Sequence, residues 1–206
     1  RVATIWEVES EVIELSGGVF SSKASPELKM TFKELAGRLM RTGGPITCSV
    51  STNSTGVGPI IAGNIVDVEV DPETGQVTVK RIVTAHDVGT VINPMLHQGQ
   101  IDGGIIQGLG YALMEEMTSE DGQVSSLSLG DYKIPTIADI PQLDTVLLES
   151  PAGPLPYQGR VIGENSLIPV AAAIANAVED AVGVRITSLP ITAEKVLAGL
   201  KGEDRK

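Results

Sequence analysis

One carboxylate stands where it could act as a general base. Glu164 follows Gly163, between a short apolar approach, Val161-Ile162, and an alanine-rich segment with helical spacing. A carboxylate on irregular backbone beside a glycine can approach a ligand closely and accept a proton from it. The same position also suits an acidic residue that only stabilises the following helix through its dipole. Spacing alone leaves both interpretations open.

Few other residues offer recognisable chemistry. His86-Asp87 is the one His–Asp pair, and His97 is the second of two histidines. Nothing gives three metal ligands at a recognised spacing, so we predict no metal held by side chains. The single cysteine, Cys48, excludes an intramolecular disulfide and a cysteine-ligated cluster within these 206 residues. Gly108-x-Gly110 has dinucleotide-fingerprint spacing, but it lies inside a predicted helix rather than between a strand and a helix.

Two helices are predicted to position these groups. Asn93-Pro94 indicates a helix start, and the pattern continues to about Met117 despite five internal glycines. Each internal glycine costs about 1 kcal/mol relative to alanine. The helix must therefore gain something from close backbone approach to a neighbour or a ligand. A second helix is predicted at about 167–182, ending at Gly183.

Alternating apolar and polar residues indicate the strands. The segments predicted to be strands are 3–15, 60–70, 76–85, 145–149 and 184–189. Turns are predicted at Gly17-Gly18 and Asp71–Gly75, and a capped helix at Thr31. Residues 47–59 are predicted to be a surface loop or an edge strand. Residues 151–159 are predicted to be a loop, which leads directly to the candidate carboxylate. The predicted fold class is α+β, with an antiparallel or mixed sheet packed against the long glycine-rich helix (about 94–117) and the second helix.

Composition and charge limit the partners. A net charge of −11 argues against nucleic acid and anionic membranes. With no long apolar run and no signal peptide, we expect a cytoplasmic location and no membrane partner. The chain starts at Arg1 in mid-pattern, so we interpret it as a piece of a longer protein or a processed subunit. Its 206 residues would form one domain that could divide into 1–92 and 93–206.

Three segments are informative when they are read together. They are HDVGTVINPMLHQGQIDGGIIQGLGYALMEEM at 86–117, DYKIPTIADIP at 131–141 and RVIGENSLIPVAAAIANAVEDAV at 160–182. In this order they resemble the C-terminal part of the large, molybdenum-binding subunit of the xanthine dehydrogenase/aldehyde oxidase family. The resemblance covers about residues 60–197 well and 1–59 more loosely.

The resemblance implies an oxidoreductase with a molybdopterin cofactor, free or as a dinucleotide, that hydroxylates an aldehyde or N-heterocycle with oxygen from water. By motif position, Glu164 would be the catalytic base. Gly163 would let the backbone approach the metal group, and Gly99 with Gln100 would bind the pterin. The metal would be held by the cofactor rather than by side chains. The family commonly has proline after the glutamate, whereas this chain has Asn165-Ser166.

The family also implies partners. They are the remainder of the large subunit, iron–sulfur and FAD domains or subunits, and a small-molecule substrate; a homo-oligomer is also an option. The isolated chain is then expected to be inactive, because much of the site lies outside it. The alternative function is a non-catalytic interaction or structural module that keeps only the fold.

Overall fold

The computed structural model describes residues 1–51, 56, 58–152 and 155–202. The chain forms two compact units, 1–53 and 54–206. The division into 1–92 and 93–206 stays a prediction. The predicted loops at 47–59 and 151–159 lie partly outside the described residues.

The first unit contains a three-stranded antiparallel sheet flanked by short helices. Its elements are helix α1 (Val2–Trp6), strands β1 (Ile13–Ser16), β2 (Val19–Ser22) and β3 (Lys29–Thr31), and helix α2 (Phe32–Arg38). The hairpin turn at Gly17-Gly18 is confirmed. The capped helix at Thr31 is also confirmed, because its Oγ1 accepts the backbone N–H of Glu34 at 3.2 Å while the Glu34 carboxylate accepts the N–H of Thr31 at 2.8 Å.

The strand predicted over residues 3–15 is wrong for most of its length, since α1 and a 3₁₀ turn precede β1. Val2 is buried in the small core of this unit, and Ile5 and Trp6 pack against the same core. Spacings of three and four residues belong to a helix. The helical spacing of these apolar residues therefore outweighed the partial alternation that suggested a strand.

The second unit is built on a three-stranded mixed sheet. Its elements are β4 (Ala62–Val70), β5 (Val77–Gly89), α3 (Pro94–Leu113), β6 (Ser119–Glu120), β7 (Gln123–Val124), β8 (Gln142–Glu149), α4 (Val170–Val182) and α5 (Ala193–Lys201). Strand β5 lies in the centre, antiparallel to β4 and parallel to β8. Parallel neighbours need a long crossover, and α3 lies within it. The predicted α+β fold with a mixed sheet is confirmed.

The β4–β5 hairpin follows its sequence pattern closely. Val66, Val68 and Val70 turn toward the core while Asp67 and Glu69 are exposed, as alternation requires. The predicted turn between these two strands is confirmed as well. The carboxylates of β4 therefore lie on a solvated face and not at a shared site.

Helices α3 and α4 supply most of the apolar core that covers the sheet. The residues that share this core at no more than 1% exposure include Ile82, Ile101, Ile105, Leu109, Val170, Ile174 and Val178. Helix α3 ends at Leu113, a turn before Met117, and α4 starts at Val170 rather than at 167. Gly183 caps α4 in the left-handed conformation, φ 71°, as predicted.

The strand predicted over 184–189 does not form, because this segment pairs with no strand in the described part of the chain. Val184 and Ile186 are nevertheless buried. Alternation thus identified which side chains turn inward, but it could not supply a neighbouring strand edge. No helix among the described residues is both long and apolar enough to cross a bilayer.

Candidate functional site

Glu164 lies on an irregular segment of residues 160–169, which we call the carboxylate loop. Its side chain is exposed, and among the described residues its carboxylate has no hydrogen-bond or ion-pair partner. Helix α4 begins six residues later with Pro169 as N-cap and no side-chain cap. A helix dipole acts only within the first turn, so a helix-stabilising role for Glu164 is not supported. Gly163 is exposed, and a Cβ there would meet nothing within 4 Å.

Two internal glycines of α3 allow the helix to pack directly on the carboxylate loop and the start of α4. A Cβ at Gly104 would collide with the buried Oγ of Ser166. A Cβ at Gly108 would lie 2.7 Å from the Cβ of Val170. Real Cβ atoms do not approach so closely in a packed interior. At these two positions α3 therefore makes the close backbone approach that was predicted for it. Its neighbour there is the segment that follows Glu164.

Tyr111 adds a polar contact on the same helix. Its Oη donates a hydrogen bond to the carbonyl oxygen of Leu167 at 2.8 Å. The same carbonyl also accepts the backbone N–H of Val170 at 3.3 Å, so the tyrosine occupies its second lone pair. The carboxylate loop is thus fixed to α3 three residues after Glu164.

A series of hydrogen bonds joins the residue after Glu164 to the sheet. His86 on β5 is fully buried, with Nε2 2.7 Å from Thr84 Oγ1 and Nδ1 3.5 Å from Asn165 Nδ2. The Thr84 hydroxyl donates its proton to Asn64 Oδ1 at 2.6 Å. With the Asn64 and Asn165 amides in these orientations, His86 donates from Nε2 and accepts at Nδ1, which is one tautomer of the neutral ring.

Burial lowers the pKa of His86 below its ordinary value of about 6.5. The unfolded chain then binds a proton that the folded chain excludes. The His86 ring therefore lowers the free energy of unfolding as pH falls below about 6.5. We expect the urea midpoint of the wild-type chain to fall more steeply, between about pH 7 and pH 5, than that of His86→Gln, whose amide does not titrate. Equal pH dependence in the two proteins would contradict this expectation.

The start of the carboxylate loop is attached to the end of the same strand. Arg160 Nε lies 3.3 Å from Asp87 Oδ1, and the two side chains are only 9% and 15% exposed. The Nε–H is not aligned for a hydrogen bond, so the contact is mainly ionic. The backbone N–H of Arg160 also donates to the carbonyl of Val88 at 2.9 Å. Asp87 accepts the backbone N–H of Gly89 at 3.1 Å, which fixes its carboxylate.

Gln100 lies in the second turn of α3, where its side chain is exposed and has no hydrogen-bond partner among the described residues. Gly99 and Gly103 beside it are also exposed, and a Cβ at either would meet nothing within 4 Å. Packing within this chain does not explain these two glycines, although each weakens the helix. The N–H of Leu96 is already capped by Asn93 Oδ1 at 3.1 Å, so dipole assistance at Gln100 is small.

Helical spacing places Gln100 on the side of α3 that contacts the carboxylate loop. Gly104, Gly108 and Tyr111 follow it by four, eight and eleven residues, which puts all four positions in one stripe. The last three of these positions contact the carboxylate loop. One rigid helix therefore carries the candidate amide and supports the candidate carboxylate. That both serve one ligand stays a prediction.

The side chains at this site suit an organic cofactor better than a bare metal ion. No group of three or more His, Cys, Asp or Glu in the described ranges could hold a metal. The exposed Gln100 amide can both donate and accept hydrogen bonds. Gly99, Gly103 and Gly163, whose Cβ positions are open in the described structure, leave room for close approach to the backbone.

Comparison with known proteins identifies the family. Residues 1–141 match the family model of the molybdopterin cofactor-binding domain. The chain belongs to this family. This molybdopterin-binding domain is 37% identical over 196 residues to a putative xanthine dehydrogenase molybdenum-binding subunit of Escherichia coli, with 90% of this chain and 26% of that protein covered. It is 43% identical over 148 residues to a subunit of the nicotinate dehydrogenase of Pseudomonas putida, with 72% of this chain and 12% of that protein covered.

Solved structures agree with this assignment. Quinoline 2-oxidoreductase from Pseudomonas putida 86 matches with a TM-score of 0.79 and 30% identity over 97% of this chain and 27% of that chain. The Cu,Mo-CO dehydrogenase matches with a TM-score of 0.79 over 98% of this chain and 26% of that chain; at 23% identity this shows the fold alone. The predictions of a molybdenum-binding oxidoreductase family and of a molybdopterin cofactor are confirmed. The molybdopterin-binding domain spans about a quarter of the length of the Escherichia coli relative.

The sequence alone does not indicate the two contacts that attach the carboxylate loop to β5. Asp87 contacts Arg160 and His86 contacts Asn165, across more than 70 positions of sequence in each case. The available signal was the His86-Asp87 pair at the end of a predicted strand. It indicated polar chemistry there, but not which distant residues would meet it.

Proposed function

We propose that this chain forms part of the molybdopterin site of a molybdenum hydroxylase, with Glu164 as its general base. One observation carries the proposal: the Glu164 carboxylate is exposed, has no partner among the described residues, and lies on a loop that is attached to β5 on either side of it. The Glu164 carboxylate would accept a proton from the water-derived hydroxyl group that is transferred to an aldehyde or N-heterocycle. The bound cofactor would supply the two-electron redox chemistry.

Gln100, Gly99 and Gly163 would make the cofactor contacts of this chain. The Gln100 amide can donate to one polar atom of the pterin and accept from another. The backbone at Gly99 and Gly163 is open to a ligand, because a Cβ at either position would meet no described atom within 4 Å. Their roles follow from motif position, and the open space beside them supports the assignment.

The remainder of the enzyme would come from outside this chain. We propose the rest of the large subunit together with iron–sulfur and FAD domains or subunits as partners. The sheet face opposite the helices exposes Ile65, Val146 and Leu148 at 69%, 45% and 51%. Exposed apolar side chains of this kind suit cover by further polypeptide.

Gln100→Ala in the complete enzyme is expected to lower cofactor occupancy. Losing one or two hydrogen bonds of about 0.5–1.5 kcal/mol each corresponds to a roughly threefold to hundredfold weaker affinity. Molybdenum and pterin per purified subunit measure the change. Gln107→Ala is the matched control, because Gln107 is an exposed glutamine two turns further along the same helix. Equal occupancy in wild type and both variants would argue against a pterin contact at Gln100.

The alternative function, a non-catalytic interaction or structural module, is less well supported than a molybdopterin site. Glu164 and Gln100 are both exposed in this chain, so the cost of a buried unpaired polar group does not distinguish the two functions here. The exposed glycines Gly99 and Gly103 weigh against a purely structural module, because they weaken α3 without improving packing in the described residues. Close approach by a ligand or by a partner from outside this chain would explain them.

A further inference from the structure

His86 and Asp87 are consecutive on β5, yet both reach the carboxylate loop. Successive strand side chains point to opposite faces of a sheet, so the loop must pass around the end of the strand to meet them both. Asp87 contacts Arg160 at 3.3 Å, and His86 contacts Asn165 at 3.5 Å. The four residues between these two attachments end in Glu164.

The two attachments lie in protected surroundings. The His86 ring is fully buried, and the Arg160–Asp87 pair is about nine-tenths buried. Removing one member of such a pair leaves a largely buried charge without its counter-ion, which is costly. The stretch between Arg160 and Asn165 therefore has few alternative conformations. The Glu164 side chain is exposed and has no partner among the described residues, so its position depends on these neighbours.

We propose that His86 and Asp87 are positioning residues, which hold the carboxylate loop on either side of Glu164 and thereby place the Glu164 carboxylate for proton transfer. The inference rests on the proposed function of Glu164. A general base works only within about 2.6–3.2 Å of the proton it accepts. A displacement of about 1 Å can cost 10²-fold in rate. His86 and Asp87 would act through the loop, without touching substrate or cofactor.

Two substitutions of His86 in the complete enzyme separate positioning from mere stability. His86→Gln can still donate to Thr84 but has no acceptor at the Nδ1 position, whereas His86→Asn places its amide oxygen near that position and can still meet Asn165. We expect His86→Gln to lower kcat per bound molybdenum by about 10-fold to 100-fold, with unchanged KM and molybdenum content. His86→Asn should retain kcat within about threefold.

Ile82→Val provides the control for a general loss of stability. Ile82 is fully buried on the same strand and belongs to the apolar core shared with α3 and α4, so its truncation should lower the melting temperature and leave kcat unchanged. Asp87→Asn, which keeps the shape of the side chain and removes its charge, should lower kcat as His86→Gln does, and it serves as a second test if His86→Gln does not fold.

The outcomes distinguish this inference from the proposed function. Full kcat in both His86→Gln and Asp87→Asn, together with an inactive Glu164→Gln, would overturn the positioning role and leave the base in place. An equal loss of kcat in His86→Gln, His86→Asn and Ile82→Val would also overturn it, because stability alone would explain the effect. Normal turnover in Glu164→Gln would instead remove the proposed function on which the inference rests.

Discussion

Glu164→Gln in the complete enzyme is expected to lower kcat by about 10²-fold to 10⁴-fold while the molybdenum content stays at the wild-type value. Glutamine keeps the size and polarity of the side chain, but its amide does not accept a proton at neutral pH. The carboxylate has no partner among the described residues, so the substitution breaks no polar contact with any of them. The measurement is the turnover rate per bound molybdenum under saturating substrate.

Glu73→Gln is the matched control for the loss of one negative charge. Glu73 is an exposed carboxylate in the turn between β4 and β5, and its side chain has no partner in the described residues. This variant should keep the wild-type kcat. A Glu164→Gln enzyme with full molybdenum and normal turnover would refute the base assignment.

Gly108→Val should destabilise the chain by about 3 kcal/mol, at the upper end of the overpacking range. Even the first added carbon would lie 2.7 Å from the Cβ of Val170 and 3.0 Å from the carbonyl oxygen of Leu167. Val170 is β-branched and buried, so it cannot move aside by a rotamer change alone. Urea unfolding followed by circular dichroism would measure the loss.

Gly103→Val is the control for the Gly108 substitution, because it lies on the same helix. Its position is exposed, and a Cβ there meets nothing within 4 Å. Replacing glycine by valine in an exposed helix should change stability by only a few tenths of a kcal/mol, in the favourable direction. Similar losses for Gly103→Val and Gly108→Val would show that helix propensity, rather than packing on the carboxylate loop, explains the result.

Much of the fold could be predicted because local signals agreed with tertiary packing. Asn93-Pro94 marks the start of α3, Gly183 the end of α4, and the turn residues between β4 and β5 join a long alternating hairpin. Where two patterns compete, local reasoning fails. Residues 3–15 alternate in part, but the spacing of Val2, Ile5 and Trp6 fits a helix on a small core.

The candidate site was harder to predict than the fold. Motif position indicated Glu164 and Gln100, and the sequence placed Glu164 on a loop just ahead of a helix predicted from about 167, whereas α4 begins at Val170, six residues after Glu164. The contacts of His86 with Asn165 and of Asp87 with Arg160 depend on how a distant loop passes around the end of β5. Such contacts follow from tertiary packing, for which no local spacing is a signal.

The most direct test of a shared site is an experimental structure of the complete enzyme with molybdopterin bound. The expected result is that the Gln100 amide lies within about 3.2 Å of a polar atom of the pterin and that the Glu164 carboxylate faces the metal end of the same cofactor. Gln100 and Glu164 side chains that open onto opposite faces of the domain, or a cofactor bound away from α3, would contradict it.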